Sequence, residues 1–319
     1  MAKKKIGLLF GMEDTFPWAL LAEINARAEK SGEAIEAVPV KIGAIRQDAP
    51  AEYAVILDRI SHEVPFYRTF LKAALARGTQ VVNNPIWGAA DDKFFNNLVA
   101  LSVNVAVPKT VLLPHKEHPP NTAETSYRNL EFVDWDAVFG YLGFPIFLKP
   151  AYGGGWRDVY KCDDRETFFR AYDQTRDLTM MAQESIDFTD YYRCYVVGRT
   201  RVRIMSYAPK EPHHLRYAAA RGKAVPAAMV ERISRDAVAL CEALGYDLNT
   251  AEFAVREGVP VAIDFMNAAP DADLHSVGQE NFDWIVRAMA DLLMERARNP
   301  RPFEPTGSWP RAAGLVPRG

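Results

Sequence analysis

Cysteine is scarce in this chain. Its 319 residues hold three, Cys162, Cys194 and Cys241, far apart and with no Cys-x-x-Cys unit. That excludes a disulfide framework, and buried free thiols in a reducing cytoplasm are expected, with a catalytic cysteine as the alternative. An excess of one charge is also missing: 38 Lys and Arg stand against 41 Asp and Glu, a net charge of −3. A dedicated nucleic-acid binder needs a basic surplus for the phosphate backbone, so that class is excluded, while a local basic pocket for one polyphosphate is not. No apolar run approaches the ~18 residues of a membrane helix. The start resembles a signal peptide up to Phe10, but Glu13 and Asp14 cut it and no small-residue cleavage site follows, so a first strand is expected. There is no internal repeat, and no Ser-His-Asp or Cys-His pattern that would supply a side-chain nucleophile. Residues 311–319 resemble a thrombin-cleavable vector tail and are set aside.

What is present is the composition of a folded soluble protein, 49% hydrophobic and 25% charged, with a length that suggests about two domains of ~150 residues. Strand-like runs at 6–10, 35–40, 53–57 and 79–83 alternate with helical patterns at 16–28 and 65–77. Proline near the start and Gly78 after the end mark the second helix. Such alternation predicts a parallel sheet covered on both faces, ending near Pro85. Beyond it come a helix at 91–101, a polar Pro-rich loop at 114–127 and a short helix at 134–141. A hairpin is expected from strands 145–149 and 159–161 around Gly153, Gly154 and Gly155. Further strands are expected at 180–184, 192–197 and 202–207. A long helix at 227–244 precedes a hairpin of 252–255 with 259–265, and a terminal helix covers 281–293.

Two local patterns carry chemistry. Lys149 ends a buried strand and is followed at once by a glycine-rich turn, Gly153 to Gly155. An ammonium with backbone N–H groups free of Cβ obstruction suits phosphate oxygens, although a glycine hairpin beside a lysine is commonly just a turn. It is neither a Walker A loop nor a dinucleotide fingerprint, since a strand follows. The second pattern is Glu252, Asp264 and Asn267 on two adjacent strands, an oxygen donor set that suits Mg²⁺. The plain alternative is a strand end and turn with a solvated glutamate.

Taken in order, seven pieces resemble the ATP-grasp family. Asp92-Lys93 resembles its opening Asp-Lys pair, followed by a helix and a Val107-Pro-Lys-Thr110 strand. Leu142-Gly-Phe-Pro-Ile-Phe-Leu-Lys-Pro150 resembles the segment whose lysine contacts nucleotide phosphates, and Gly153 to Gly155 the mobile loop over them. Ala182-Gln-Glu-Ser-Ile186 resembles the hinge strand whose backbone reads the adenine edge, and Asp190-Tyr-Tyr-Arg-Cys-Tyr-Val-Val-Gly198 a following strand motif. Residues 244–270 parallel the metal-binding end. The resemblance implies an α/β ATP-grasp fold over residues 86–300, with a lid subdomain at about 105–185 and a metal-binding subdomain at about 186–300. A Rossmann-like domain over 1–85 precedes it, as in glutathione synthetase, RimK and D-alanine–D-alanine ligase. It further implies ATP contacts from Lys93, Lys149, Gly153, Gly154, Gly155, Gln183, Glu184, Ile186 and Asp190. Mg²⁺ would be held by Glu252, Asp264 and Asn267, and the reacting phosphate met by Arg193 and Arg203, for which ordinary sheet-surface arginines are the alternative. Related ligases are often dimers, which leaves a homodimer open.

Two departures stand out. The family shows Glu-x-Asn where this chain has Asp264-Phe-Met-Asn267, so a β-bulge is needed to bring both oxygens to one side. Trp156 and Asp158 stand where the glycine loop is normally small and basic, leaving Arg157 as the candidate phosphate contact. For substrate, Arg59 and His62 follow a strand end of the first sheet, where such sheets bind ligands. His214 and Arg216 follow a Pro-rich turn, though the adjacent His213 and His214 would face opposite ways on a strand and so share no metal. His115 and His118 are expected to be solvated. Residues 208–226 match nothing readable. The implied function is a cytoplasmic, Mg²⁺- and ATP-dependent ligase joining a small-molecule or peptide carboxylate to an amine, with no nucleic-acid or membrane partner. The rivals are a regulatory nucleotide-binding module that keeps the cleft without turnover, and a plain α/β binding protein with no ATP site.

Overall fold

The computed structural model describes residues 3–86, 92–212, 215–217, 219–220 and 224–315. Its first sheet is parallel, in the order β2-β1-β3-β4, from β1 (Lys4–Leu9), β2 (Ile35–Pro39), β3 (Val55–Asp58) and β4 (Gln80–Val82). The central strands are continuous apolar runs because both faces are covered. Leu8 and Leu57 share a core with Leu20 and Ile24 of α1 (Phe16–Ser31), while Ile56 shares one with Leu71 of α2 (Pro65–Ala76). Pro17 and Pro65 sit in the first turns of these helices, and Gly32 closes α1 in the left-handed conformation (φ 68°).

Two antiparallel sheets follow. After α3 (Lys93–Ser102), the strands β5 (Thr110–Leu113), β6 (Ile146–Pro150), β7 (Tyr160–Cys162) and β8 (Met180–Glu184) pair in the order β5-β8-β6-β7. Ile146, Leu148 and Ala182 form one face, buried against Phe139 of α4 (Trp135–Leu142) and Phe168 of α5 (Arg165–Gln174). The expected strand at 107–110 lies three residues further on. Pro108 lacks a ladder donor, and the chain before β5 instead bridges two sheets, with Ala262 N–H donating to Ala106 O (2.8 Å) and Glu184 N–H to Lys109 O (3.0 Å). The third sheet, in the order β10-β9-β11-β12, comprises β9 (Asp190–Val197), β10 (Arg201–Ser206), β11 (Leu248–Arg256) and β12 (Val259–Asp264). Cys194, Ala251, Phe253 and Ala262 of one face pack on Ile233, Ala237 and Leu240 of α6 (Ala227–Leu244). After α7 (Leu274–Val277), α8 (Gln279–Arg298) packs along α1 and over β1, β3 and β9, so one core holds Ile6, Leu20, Tyr195 and Met289 together. The short α9 (Trp309–Ala312) returns to α3, with Trp309 edge-on to Phe95. Residues 311 and 312, expected in a foreign tail, thus complete a helical turn on the fold. No helix among the described residues is long and apolar enough to cross a membrane.

Two polar joints fix the first sheet to the third. Thr15 does not cap α1 with its own side chain; Asp273 does so from across the molecule. Its Oδ1 accepts from the N–H groups of Thr15 and Phe16 (both 3.0 Å) and the Thr15 hydroxyl (2.7 Å), and its Oδ2 from Asp14 N–H (3.3 Å). The Thr15 hydroxyl in turn accepts from Leu274 N–H (2.9 Å), the first residue of α7. At the second joint Asn83 Oδ1 accepts from the N–H groups of Asp247 (2.7 Å) and Leu248 (2.9 Å), and its Nδ2 donates to Leu248 O (2.8 Å).

Burial works against the charge of Asp273, but the donors of Phe16 and Thr15 outweigh it and hold its carboxyl below the usual range. A carboxyl with a lower pKa folded than unfolded stabilises the fold at neutral pH and loses that contribution as the pH falls through its folded value. Asp273→Ala is therefore expected to cost about 2 kcal/mol in urea unfolding at pH 7, with the gap to the unsubstituted protein narrowing in acid.

Candidate functional site

Between the second and third sheets lies a cleft of about 890 Å³, the size of a nucleotide or cofactor pocket. Strand alternation builds its walls. On β6, Leu148 points into the helix-backed core, so Phe147 and Lys149 point the other way, beside Gln183 of β8. On the facing sheet Tyr191, Glu252 and Ala254 alternate with the residues packed on α6. Apolar side chains (Phe147, Ile186, Phe188, Ile263) line one part of the cleft, and Lys93, Lys149, Gly153 to Gly155, Arg157, Glu252 and Asp264 another.

Asp92 caps α3, accepting from Phe95 N–H (2.9 Å), which sets Lys93 at the helix start with its Nζ donating to Gly153 O. The Asp-Lys pair is thus a cap followed by a cation aimed at the glycine loop. Gly153 (φ 83°) and Gly155 (φ 73°) take the left-handed conformation the loop requires. Burial lowers the pKa of Lys149 to about 8; Lys93 adds to that, while Asp264 and Glu252 oppose it.

The acidic wall depends on a β-bulge. Phe253 pairs with Ala262, but Glu252 pairs with Asp264, which leaves Ile263 as the extra residue. In regular register Asp264 would oppose Ala251 and face α6; the bulge turns it to the side of Glu252. This bulge aligns Asp264 with Glu252, but it precedes Asp264 and is not the one that the Asp264-x-x-Asn267 spacing calls for; β12 ends at Asp264, and Asn267 lies beyond the ladder. Asp264 has no hydrogen-bond or ion-pair partner among the described residues. Glu252 is held by Tyr191, whose hydroxyl donates to Oε2 (2.6 Å), and by Arg193, with Nε 3.6 Å from Oε1. Burial raises the pKa of Glu252; Arg193 opposes this and Asp264 adds to it. Burial, then Glu252, also keeps the Tyr191 phenol protonated. Two facing carboxylates, one of them partnerless and open to the cleft, fit a hard divalent cation. Asn267 sits deeper: its N–H donates to Asn249 Oδ1 (2.8 Å), and its amide oxygen lies 3.1 Å from Arg193 Nη2 once the amide is oriented to satisfy its neighbours.

Of the remaining candidates, Gln183 lies in the cleft wall and donates to Thr110 Oγ1 (3.0 Å). The Glu184 carboxylate accepts from Lys109 N–H and Arg256 Nη1, so this side chain is committed within the protein. Asp190 begins β9 opposite Val255, outside the cleft lining. Buried Arg193 donates to Tyr217 (3.0 Å) as well as pairing with Glu252. Arg203 differs from expectation: α8 packs beside β10, and the guanidinium pairs with Glu280 (2.6 Å) and donates to Asn281 (3.0 Å), away from the cleft. Arg59 is likewise not an open strand-end group. It is buried on Phe16, paired with Glu13, and donates to Pro270 O, where it braces the joint between sheets. His62 is exposed beside Glu63. His213 and His214 lie outside the described residues. Arg216 does approach the site, its guanidinium 5.6 Å from the Trp156 ring that continues the glycine loop. Tyr191 was not singled out from sequence; its position two residues before Arg193 places it on the same strand face. The three cysteines are free and buried, and burial raises the Cys162 and Cys241 thiols to about 11 and 12, which leaves them inert at neutral pH.

Similarity to known proteins is visible in structure alone. No family model and no curated protein matches by sequence. The chain is similar to the VanG D-Ala:D-Ser ligase from Enterococcus faecalis (TM-score 0.64, 17% identity, covering 93% of this chain and 100% of that one). It is similar to D-alanine–D-alanine ligase from Bacillus anthracis, solved in complex with ATP (0.63, 17%, 92% and 97%). A third neighbour is a RimK domain ATP-grasp protein from Sphaerobacter thermophilus (0.62, 20%, 91% and 99%). The chain has the ATP-grasp fold.

The position of Lys149 gives a pH dependence with a definite sign. Below pH 8 it is an ammonium and above it an amine, and a phosphate anion prefers the ammonium, so binding takes up a proton. Calorimetric affinity for ADP is expected to fall by up to tenfold between about pH 8.5 and 9.5, and Lys149→Met should remove most of that slope.

Proposed function

We propose that this protein is an ATP-dependent ligase that activates a carboxylate as an acyl phosphate and joins it to an amine, releasing ADP and phosphate. The observation that carries the reading is the opposition, across one nucleotide-sized cleft, of Lys93, Lys149 and the glycine loop to the bulge-aligned pair Glu252 and Asp264. Cations on one wall suit phosphate oxygens, and facing carboxylates on the other suit Mg²⁺. When bound, Mg²⁺ neutralises charge that moves as the γ-phosphoryl group transfers.

The chain's own residues bind and orient. Phe147, Ile186 and Ile263 offer apolar surface for a base, and the backbone at the end of β8 leading to Ile186 is the candidate for its edge contacts. Lys93, Lys149, Arg157 and the N–H groups of Gly153 to Gly155 hold the phosphates. Tyr191 and Arg193 fix Glu252, and Glu252, Asp264 and Asn267 are the candidate metal donors. A substrate carboxylate oxygen attacks the γ-phosphorus as the bond to ADP breaks. The amine then attacks the acyl carbon, phosphate leaves with its bridging oxygen, and the amine proton passes to solvent. Positioning and charge neutralisation supply the rate, and no side-chain nucleophile is required. Arg216, next to Trp156, is placed to meet an anionic intermediate beneath the loop.

The second reading, a regulatory nucleotide binder, is favoured by one observation: the side chain of Asn267 faces Arg193. A screen of carboxylic acids and amines with Mg-ATP separates the two. The ligase reading expects substrate-dependent phosphate release and, with acid alone, a hydroxamate trapped by hydroxylamine. Asp264→Asn should keep nucleotide affinity within about threefold while losing at least 90% of turnover, since the donor acts on transferring charge. Tight Mg-ATP binding by both proteins, with no ADP and no hydroxamate from any pair, would decide for the regulatory reading. Lys149→Ala should weaken ATP binding about tenfold, or ~1.4 kcal/mol, without unfolding the protein.

A further inference from the structure

Beyond the end of β9 that leads away from the cleft, three arginines meet. Arg199 of the β9–β10 turn, Arg296 near the end of α8 and Arg301 just after it all reach Asp247. Arg199 Nε and Arg301 Nη1 lie 3.1 and 3.2 Å from Oδ1, and Arg296 Nη2 lies 2.9 Å from Oδ2. Glu304 takes Arg199 Nη1 at 2.8 Å. From Arg193 to Arg199 is six residues of strand and turn, roughly 20 Å, and this region shares no lining residue with the cleft.

Three guanidinium groups against two carboxylates leave one positive charge over. The carbonyl end of α6 takes part of it, Arg199 Nη2 lying 3.4 Å from Gly245 O, but among the described residues nothing comparable serves Arg296. Its side chain is 6% exposed, and the contact with Asp247 is its one hydrogen bond among the described residues, although a guanidinium has five donors. Its other nitrogens are not sealed in protein without partners; it lines a half-open cavity of about 60 Å³ together with Arg199 and Arg301. Burial, with Arg301 and Arg199 beside it, holds the pKa of Arg296 below the usual arginine value, the signature of a cation short of counter-charge. At ~10–15 Å³ per water position, such a cavity takes about four waters or one tetrahedral oxyanion, and forked guanidinium groups match phosphate geometry.

We propose that this cavity binds a tetrahedral oxyanion of the phosphate class, held by Arg199, Arg296 and Arg301. The walls belong to different parts of the fold. Arg301 exchanges backbone hydrogen bonds with the Gln80 side chain of β4 (3.0 and 3.1 Å), so a bound anion ties the first sheet to α8 and to the β9–β10 turn. Occupancy stabilises the fold from a position remote from the cleft.

The test compares thermal unfolding in inorganic phosphate and in chloride at matched ionic strength. Phosphate is expected to raise Tm above chloride in the unsubstituted protein and equally in Lys149→Ala, which disables the cleft's own phosphate contact. Arg301→Gln, which brings the net charge of the cluster to zero, should weaken the apparent phosphate affinity about tenfold. Glu304→Gln, which adds to the surplus, should strengthen it, and this opposite sign separates anion binding from a general change in stability. The proposal fails if phosphate and chloride act alike, if Lys149→Ala abolishes the effect, or if the two cluster variants shift it in the same direction.

Discussion

The reciprocal cap between Thr15 and Asp273 is the constraint on which the arrangement of the molecule turns. A helix N-terminus leaves N–H groups that need acceptors, and α1 obtains its acceptor from a segment more than 250 residues away in the chain. That segment runs on directly from β12, so the residues that orient the first sheet lie a few positions from Asp264 and Asn267. Arg59, paired with Glu13 and bound to the Pro270 carbonyl, braces the same place. The carboxyl ends of the first parallel sheet are thereby held against the chain that leaves the acidic wall of the cleft. The helix α8, which covers β1 and β3, makes the apolar part of this attachment continuous with the third sheet.

A second constraint sits on β12. Strand faces alternate with period two, and a single extra residue at Ile263 decides which way Asp264 points. Without it, one carboxylate would face the cleft and the other would face α6. With it, the two face one another, and burial, with the repulsion of Asp264 added, raises the pKa of Glu252. Tyr191 and Arg193 hold Glu252 in place from the neighbouring strand. The pair is poised electrostatically for a cation, while Lys149 across the cleft is poised for an anion.

Much of this was legible because it is local. The parallel first sheet followed from continuous apolar runs alternating with proline-started helices, and the hairpin around Gly153 to Gly155 from a buried run broken by glycines. The resemblance of seven short motifs placed Lys93, Lys149 and Glu252 in one cleft. What could not be read depended on partners distant in sequence. Arg203 looked available because nothing nearby in the chain shows α8 bringing Glu280 alongside. Arg59 sat at a strand end suited to ligands, yet Glu13 and Pro270 claim it. The sequence places β5 too early because Val107-Pro-Lys-Thr110 has strand composition, whereas Pro108 cannot join a ladder and the adjoining backbone serves two sheets instead. The spacing of Asp264 and Asn267 pointed to a bulge after Asp264; the bulge that turns Asp264 lies before it, at Ile263, and shows only in the register with β11.

The depressed pKa of Lys149 carries one more consequence. With a pKa of about 8, roughly a fifth of the side chain is free amine at physiological pH, against about a thousandth for an ordinary lysine. A free amine is a nucleophile, and an activated acyl group is an electrophile, so a ligase with a partly neutral lysine in its cleft would be open to acylating itself. The bound phosphates of the proposed reaction remove that hazard by the same electrostatics that recruit them: while an acyl phosphate and ADP occupy the cleft, their charge keeps Lys149 protonated and unreactive. Under that proposal, the group that attracts the nucleotide is silenced as a competitor by the nucleotide it attracts.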